Sequence, residues 1–239
     1  KYDPQGVPLW AKQAGHTYAE QASAVAVDPA GNIYLTGFGG FITRLDGIWL
    51  TNNPGTNFLI AKYDPAGNTL WAKTAIGTNI CLGTSITVDR GTNILVTGTL
   101  LGRVDFGAGP ILNTNSTLYG GTVFLANYGP NGSLSWTTKG IGGNPGYAQR
   151  IKTDAAGNIF ATSYMRSYGN SPMITKYDST GRRLWTRFSS LSCCTGDYIS
   201  ADGLALDTDG NAYICGAASG YGYLDSYYIN RQGYVAKFR

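Results

Sequence analysis

Catalysis in this chain would have to start from very few side chains. His16 is the single histidine and Glu20 the single glutamate. His16 with Glu20 or Asp197 supplies the parts of a general base with an orienting carboxylate, the pair a hydrolase or lyase would use. Nothing in the spacing demands that pairing, and a solvated loop histidine is the plainer reading. Asp207, Asp209 and Asn211 alternate in "LDTDGNAY", residues 206 to 213, as calcium ligands do. A calcium loop of the EF type has glycine sixth and glutamate twelfth, whereas here glycine is fourth and no glutamate follows. No metal or other cofactor is expected.

Cys81, Cys193, Cys194 and Cys215 form no C-x-x-C pair and have no histidine at ligand spacing, which sets zinc aside. A disulfide from one of the adjacent pair to Cys215 would staple a loop, with Cys81 left for the other if the loops converge. That fits an oxidising, extracellular or cell-surface setting, and a redox role for the adjacent pair is the alternative. Arg150 and Lys152 stand where sibling segments carry Ala24 and Ala26, Ser85 and Thr87, or Gly203 and Ala205. They could hold an anion, pair with Asp202, or carry their charge to water along their own stems.

Recognition by aromatic rings is the third available chemistry. Trp49, Tyr147, Tyr164, Tyr168, Tyr221, Tyr223, Tyr227 and Tyr228 accompany Arg44, Arg166, Asp46, Asp197 and Asp225 in irregular segments. Such rings stack on sugars or anchor a protein partner while the polar groups set orientation. The expected ligand set is Trp49, Arg44, Tyr164, Arg166, Tyr168, Tyr221, Tyr223 and Asp225. The competing reading is that these rings pack beneath their own loops.

What positions these residues is a repeat. "AVAVDPAGNIYLTG" at 24 to 37 recurs as "SITVDRGTNILVTG" at 85, "RIKTDAAGNIFATS" at 150 and "GLALDTDGNAYICG" at 203. Each is an alternating strand, an aspartate turn and a second strand. A second hairpin type follows, in "FLIAKYDPAGNTLWAK", "VFLANYGPNGSLSWTT" and "PMITKYDSTGRRLWTR", where Asp64, Gly129 and Asp178 each stand seven positions before Trp71, Trp136 and Trp185. A fourth copy is split between "GYVAKFR" at 233 to 239 and "KYDPQGVPLWAK" at 1 to 12, again with seven positions from Asp3 to Trp10. Four strands, A to D, per repeat is the pattern of a β-propeller blade.

The expected fold is therefore all-β, a single four-bladed β-propeller of four-stranded antiparallel blades. The blades fall at about 22–74, 83–138, 147–188 and 201–239 plus 1–12, the last closed by the N-terminal strand. Closure of that kind removes the open edge of an unfinished sheet. The A–B and C–D turns then share one face. All the irregular D–A and B–C connections, with the aromatic residues and His16, share the other, where function sits on a rigid scaffold.

The same residues carry a family resemblance. Lys62-Tyr63-Asp64-Pro65, Gly67, Leu70-Trp71-Ala72-Lys73, Ile86-Thr87-Val88-Asp89 and Val96-Thr97-Gly98 resemble the bacterial SBBP-type β-propeller repeat, and "GRVDFGAG" at 102 to 109 is similar to its linker between strands B and C. The resemblance implies a secreted or cell-surface protein used for interaction, without a shared catalytic residue set. Gly129 in place of the turn aspartate, Asn127 in place of lysine and Arg239 in place of the final aspartate depart from the pattern.

Composition narrows the partners. The 18 basic residues are scattered, with no stripe to track a phosphate backbone, so nucleic acid is not expected. No apolar stretch approaches the roughly 20 residues needed to insert in a membrane. The expected function is non-enzymatic binding of a carbohydrate or protein ligand through the loop-rich face. The alternatives are a structural subunit that builds a homo-oligomer or filament by strand exchange between chain ends, and a hydrolase or lyase built on His16.

Overall fold

The structure is a computed structural model, and it describes residues 1–15, 20–53, 55–112, 121–140, 146–165, 171–191 and 199–238. Among these the chain is all strand and turn, with no helix. A first antiparallel meander consists of β1 (Gln21–Val27) and β2 (Ile33–Gly39), then, after an inserted hairpin of β3 (Ile42–Leu45) and β4 (Ile48–Thr51), β5 (Asn57–Tyr63) and β6 (Thr69–Thr74). After the short β7 (Ile76–Gly77), a second meander follows with β8 (Cys81–Val88) and β9 (Ile94–Leu100), an insert of β10 (Arg103–Asp105) and β11 (Pro110–Leu112), and then β12 (Thr122–Tyr128) and β13 (Leu134–Lys139). The third is β14 (Gly146–Thr153), β15 (Ile159–Met165), β16 (Ser171–Tyr177) and β17 (Arg183–Leu191). The fourth has β18 (Gly203–Leu206), β19 (Ala212–Ala217), the inserted hairpin of β20 (Tyr221–Leu224) and β21 (Tyr227–Asn230), and β22 (Gly233–Phe238).

The tight turns form because an aspartate carboxylate replaces missing backbone partners. Asp28 Oδ1 accepts the Asn32 amide at 2.9 Å, its Oδ2 accepts the Asn32 side chain at 2.8 Å and the Tyr34 hydroxyl at 3.0 Å, and Gly31 adopts φ 82°. Asp64, Asp89, Asp154 and Asp207 accept the corresponding pair of bonds from Asn68, Asn93, Asn158 and Asn211. Gly129 lacks the carboxylate, and Asn131 Oδ1 takes over by accepting from the Ser133 amide and hydroxyl. The tempting "LDTDGNAY" segment is one of these turns, since Asp207 spends its oxygens on Asp209, Asn211 and Tyr213.

Cores lie between successive sheets. Along β5, Phe58 and Ile60 join Phe124, Ala126 and Tyr128 of β12 in one cluster, while Val123 and Leu125 on the other side of β12 join Ala148, Ile151 and Tyr177 of the third meander. Ile174 and Phe160 of the third then meet Ala212, Ile214, Tyr234 and Ala236 of the fourth. Each strand alternates between the sheet before and the sheet after, as a period of two requires.

A tryptophan ties neighbouring sheets together at the outer edge. The Trp71 indole lies on Gly132 of the next sheet, where a Cβ would come within 3.0 Å, and its Nε1 donates to Pro130 O at 3.2 Å. Lys62 Nζ donates to the same carbonyl at 3.1 Å. Trp10 and Lys1 repeat this on Gly67 and Pro65 O, at 3.3 and 2.9 Å, and Trp136 lies likewise on Gly181.

The N-terminal segment departs from expectation. The fourth sheet has the order β18-β19-β22, without the N-terminal strand as its outer member. Residues 1–12 instead fold on themselves, with Tyr2 bridged to Pro8, and rest on the first meander through Lys1 and Trp10. Their hydrogen bonds to Pro65 hold them there. The cysteine expectation also changes, because Cys81 and Cys215 are free thiols; Cys193 and Cys194 lie outside the described residues. Cys81 is a buried core residue, 2% exposed, and burial pushes its thiol pKa up, so it acts as a small apolar side chain.

Gly132 and Gly6 have almost the same left-handed φ, 80° and 83°, but only Gly132 faces an indole; nothing lies within 4 Å of a Cβ on Gly6. Both alanine variants pay about 1 kcal/mol for the backbone. Gly132→Ala should cost about a further 1–3 kcal/mol from the clash. Denaturant unfolding of the two variants measures the difference.

Candidate functional site

Among the described residues the inserted hairpins are joined by backbone pairing to segments of neighbouring meanders. Ala14 bridges Leu45 and the Gly15 amide donates to Arg44 O at 3.0 Å, joining the connection before β1 to the β3–β4 hairpin. β7, between the first and second meanders, pairs with β10, and β17 of the third meander pairs with β20 of the fourth. Each inserted hairpin among the described residues is thus paired with a neighbouring segment.

Two of the hairpins present aromatic surface. Trp49 on β4 is 53% exposed, with the Arg44 guanidinium 5.3 Å from its ring centroid and Arg44 Nε donating to Asp46 O at 2.8 Å. Asp46 turns the tip at φ 48°, accepts from Thr69 Oγ1 at 2.7 Å and ion-pairs with Lys12 at 3.2 Å. The Thr69 and Lys12 contacts hold its carboxyl below the usual range. On the β20–β21 hairpin, Asp225 makes the corresponding tip at φ 55°. Tyr221 and Tyr223 are exposed; Tyr228 stacks on Tyr221 at 6.5 Å and meets Tyr223 edge-on at 5.4 Å. Arg231 lies 5.4 Å over the Tyr221 ring, and Tyr227 is 75% exposed.

The expected ligand set therefore divides. Trp49 with Arg44, and Tyr221 with Tyr223 and Asp225, stand on two separate exposed hairpins. Tyr164 pairs with Tyr147 across β14 and β15, stacked at 5.0 Å and half-buried, which is the loop-core reading for that ring. Arg166 and Tyr168 lie outside the described residues, as do His16, Asp197 and Arg239. Tyr227 and Tyr228 belong with the exposed group although the selected set omits them. The shared "Leu-Asp-Gly" and "Leu-Asp-Ser" tips of the two hairpins, at 45 to 47 and 224 to 226, are the signal that would have found them.

Elsewhere the polar candidates have local work. Arg150 donates to Gln149 O at 3.1 Å, and Asp202 accepts from Ser200 Oγ at 2.6 Å. Among the described residues no three His, Cys, Asp or Glu side chains cluster as metal ligands, and no helix is long and apolar enough to cross a membrane.

Residues 9–37 match a family model described as a β-propeller repeat of the SBBP type. An uncharacterized WD repeat-containing protein of Acanthamoeba polyphaga mimivirus is 27% identical over 170 residues, a match covering 61% of this chain and 12% of that protein. The chain thus spans a small part of the length of the relative it matches.

The turns on the opposite face set the acid stability. At Asp28 burial works to raise the pKa, but bonds from Asn32 and Tyr34 outweigh it; Asp64, Asp178 and Asp207 are lowered chiefly by side-chain bonds from Asn68, Thr180 and Asn211. A folded pKa below the unfolded value of about 3.9 gives stability that is present above that value and lost as the pH falls through the folded one. Denaturant midpoints should therefore begin to drop below about pH 5 and keep dropping as the pH falls below the usual carboxylate range. Asp28→Ala should cost about 2 kcal/mol at neutral pH and shallow that drop.

Proposed function

We propose that this chain is a non-enzymatic interaction scaffold of the β-propeller type, its four meanders serving as blades, which captures a protein partner through the inserted hairpins. The observation that carries the reading is the pairing of exposed rings with arginines on braced hairpins: Trp49 with Arg44, and Tyr221 with Arg231 beside the exposed Tyr223, Tyr227 and Tyr228. Tryptophan, tyrosine and arginine are the residues that dominate protein-binding hot spots, and rigid rings add contact area at small entropic cost. A protein ligand is favoured over a glycan because Arg44 and Arg231 each cover a ring face on which a sugar would stack. Deployment outside the cell or at its surface, as the SBBP resemblance implies, belongs to the same reading.

The test presents the wild-type chain and a Tyr227→Ala/Tyr228→Ala variant to a displayed peptide library and to a glycan array. Peptides selected on the wild type should bind the variant at least about 30-fold more weakly, the effect of losing about 2 kcal/mol at a hot spot. Unfolding should be nearly unchanged, since Tyr227 is largely in water. Ring-dependent binding on the glycan array alone would instead support a carbohydrate ligand, and binders indifferent to these rings would remove the site from this face.

A further inference from the structure

The β3–β4 hairpin spends its own carboxylate elsewhere and leaves an arginine charge uncompensated. Arg44 and Trp49 face each other across the two strands, both exposed, while Thr43 and Leu45 on either side of Arg44 are 1% exposed and point inward. Strand alternation thus puts the guanidinium and the indole on one outward surface. Both flanks of the hairpin are taken by this chain: Ala14 and Gly15 join β3 on one side, and Thr69 of β6 reaches Asp46 on the other. The surface is therefore bounded within the chain.

Two contacts hold the guanidinium. Its carbon lies 5.3 Å from the Trp49 ring centroid, and Nε donates to Asp46 O at 2.8 Å. That is the one hydrogen bond the Arg44 side chain makes among the described residues, so the N–H groups of Nη1 and Nη2 open to water. The nearby acid does not answer them. Asp46 Oδ2 accepts from the Thr69 hydroxyl at 2.7 Å and from its amide at 3.3 Å, and the carboxylate pairs with Lys12 at 3.2 Å. Among the described residues the ion pairs are Lys12 with Asp46, Lys176 with Asp154 and Lys237 with Asp207, and no arginine takes part in one.

A guanidinium whose plane is fixed by a ring and by one backbone bond is a preset fork for a carboxylate, which accepts two parallel N–H bonds at once. The rotamer freedom that a loose arginine gives up on pairing is already gone here. Trp49, 53% exposed, offers apolar contact to whatever flanks that carboxylate. With Lys12 tied to Asp46, the fork supplies a single positive charge, which matches one carboxylate rather than a phosphate dianion. The excess of 18 basic over 14 acidic residues draws an acidic partner in the same sense.

We propose that the partner segment taken by this hairpin is acidic: an aspartate or glutamate accepts from Nη1 and Nη2 of Arg44, with a neighbouring apolar side chain against Trp49. The assignment rests on the reading of the inserted hairpins as a protein-binding surface.

Peptides selected from a displayed library on the wild-type chain, and lost on Trp49→Ala, test this. They should share an aspartate or glutamate beside an apolar residue. Arg44→Gln, or replacement of that acid by its amide, should each weaken binding at least about 10-fold, the scale of one hydrogen bond to a charged group. Both changes together should cost little more than either alone, since each removes the same pair. Arg44→Lys keeps the charge without the fork and should fall between, about 3-fold below the wild type. Melting curves of the Arg44 variants should stay near that of the wild type, because this side chain is exposed. Peptides that need Trp49 but carry no acid or ignore Arg44→Gln, or a selection that needs only the tyrosines, overturn the assignment and leave the hairpin reading standing. A phosphoserine that binds about 10-fold tighter in place of the acid gives the fork to phosphopeptides and overturns it too. A selection in which no binder depends on Trp49 or on the tyrosines removes the hairpin reading and this assignment together.

Discussion

The close approach of an indole to a turn glycine governs how one sheet sits on the next. The glycine meets two requirements at once: φ near +80°, which an L side chain rarely adopts, and a hydrogen atom where any Cβ would strike the ring. With the indole seated, its N–H reaches the carbonyl two residues earlier, and a lysine from the adjoining strand reaches the same oxygen. That carbonyl is a fixed point between two sheets whose apolar faces would otherwise be free to slide. The cores then repeat the same alternation from sheet to sheet because the outer edge fixes their registration.

The repeat also shows where one set of contacts relaxes. Lysines of the third strand lie over rings of the second in the first, third and fourth meanders: Lys62 on Tyr34, Lys176 on Phe160 and Lys237 on Tyr213. In the second meander both partners change, to Asn127 and Leu95. Neither half of the cation–π pair is left without its mate, since an unpaired lysine at a buried site would be far costlier than the exchange. The buried Asn127 Oδ1 has no hydrogen-bond partner, so the exchange is not free of cost.

Much of this was legible in the sequence because the turns and tryptophans are local signals. Asp28, Asp64, Asp89, Asp154, Asp178 and Asp207 announce tight turns through their own carboxylates, and seven-residue spacing from turn to tryptophan survives even where Gly129 replaces aspartate. The inserted hairpins were not read as strands because three- or four-residue strands carry too little alternation to stand out from loop. The stacking of Tyr164 was not foreseen for a related reason. Its stacking partner Tyr147 is set by cross-strand register, which an inner-strand bulge between Ala148 and Arg150 helps to fix, and no spacing in the sequence displays that. The N-terminal segment was expected as the outer strand of the fourth blade, whereas Lys1 and Trp10 hold it on Pro65 O of the first meander, and a sequence cannot say which of two sheets will hold such a segment.

The division of labour across the molecule follows from where backbone partners are abundant. On the turn face, each carboxylate is consumed by its own amides, so that face has little left with which to recognise anything. On the opposite face the connections pair with one another, as β7 with β10 and β17 with β20, and this frees side chains from the task of satisfying backbone groups. Trp49 and the tyrosines of β20 and β21 are the beneficiaries: their rings stand on braced strands, partly faced by arginines, and have little conformational entropy left to lose on contact. Large exposed rings on a floppy loop would collapse onto the nearest apolar surface. Held on a hairpin that is itself held by a neighbouring sheet, they stay in water.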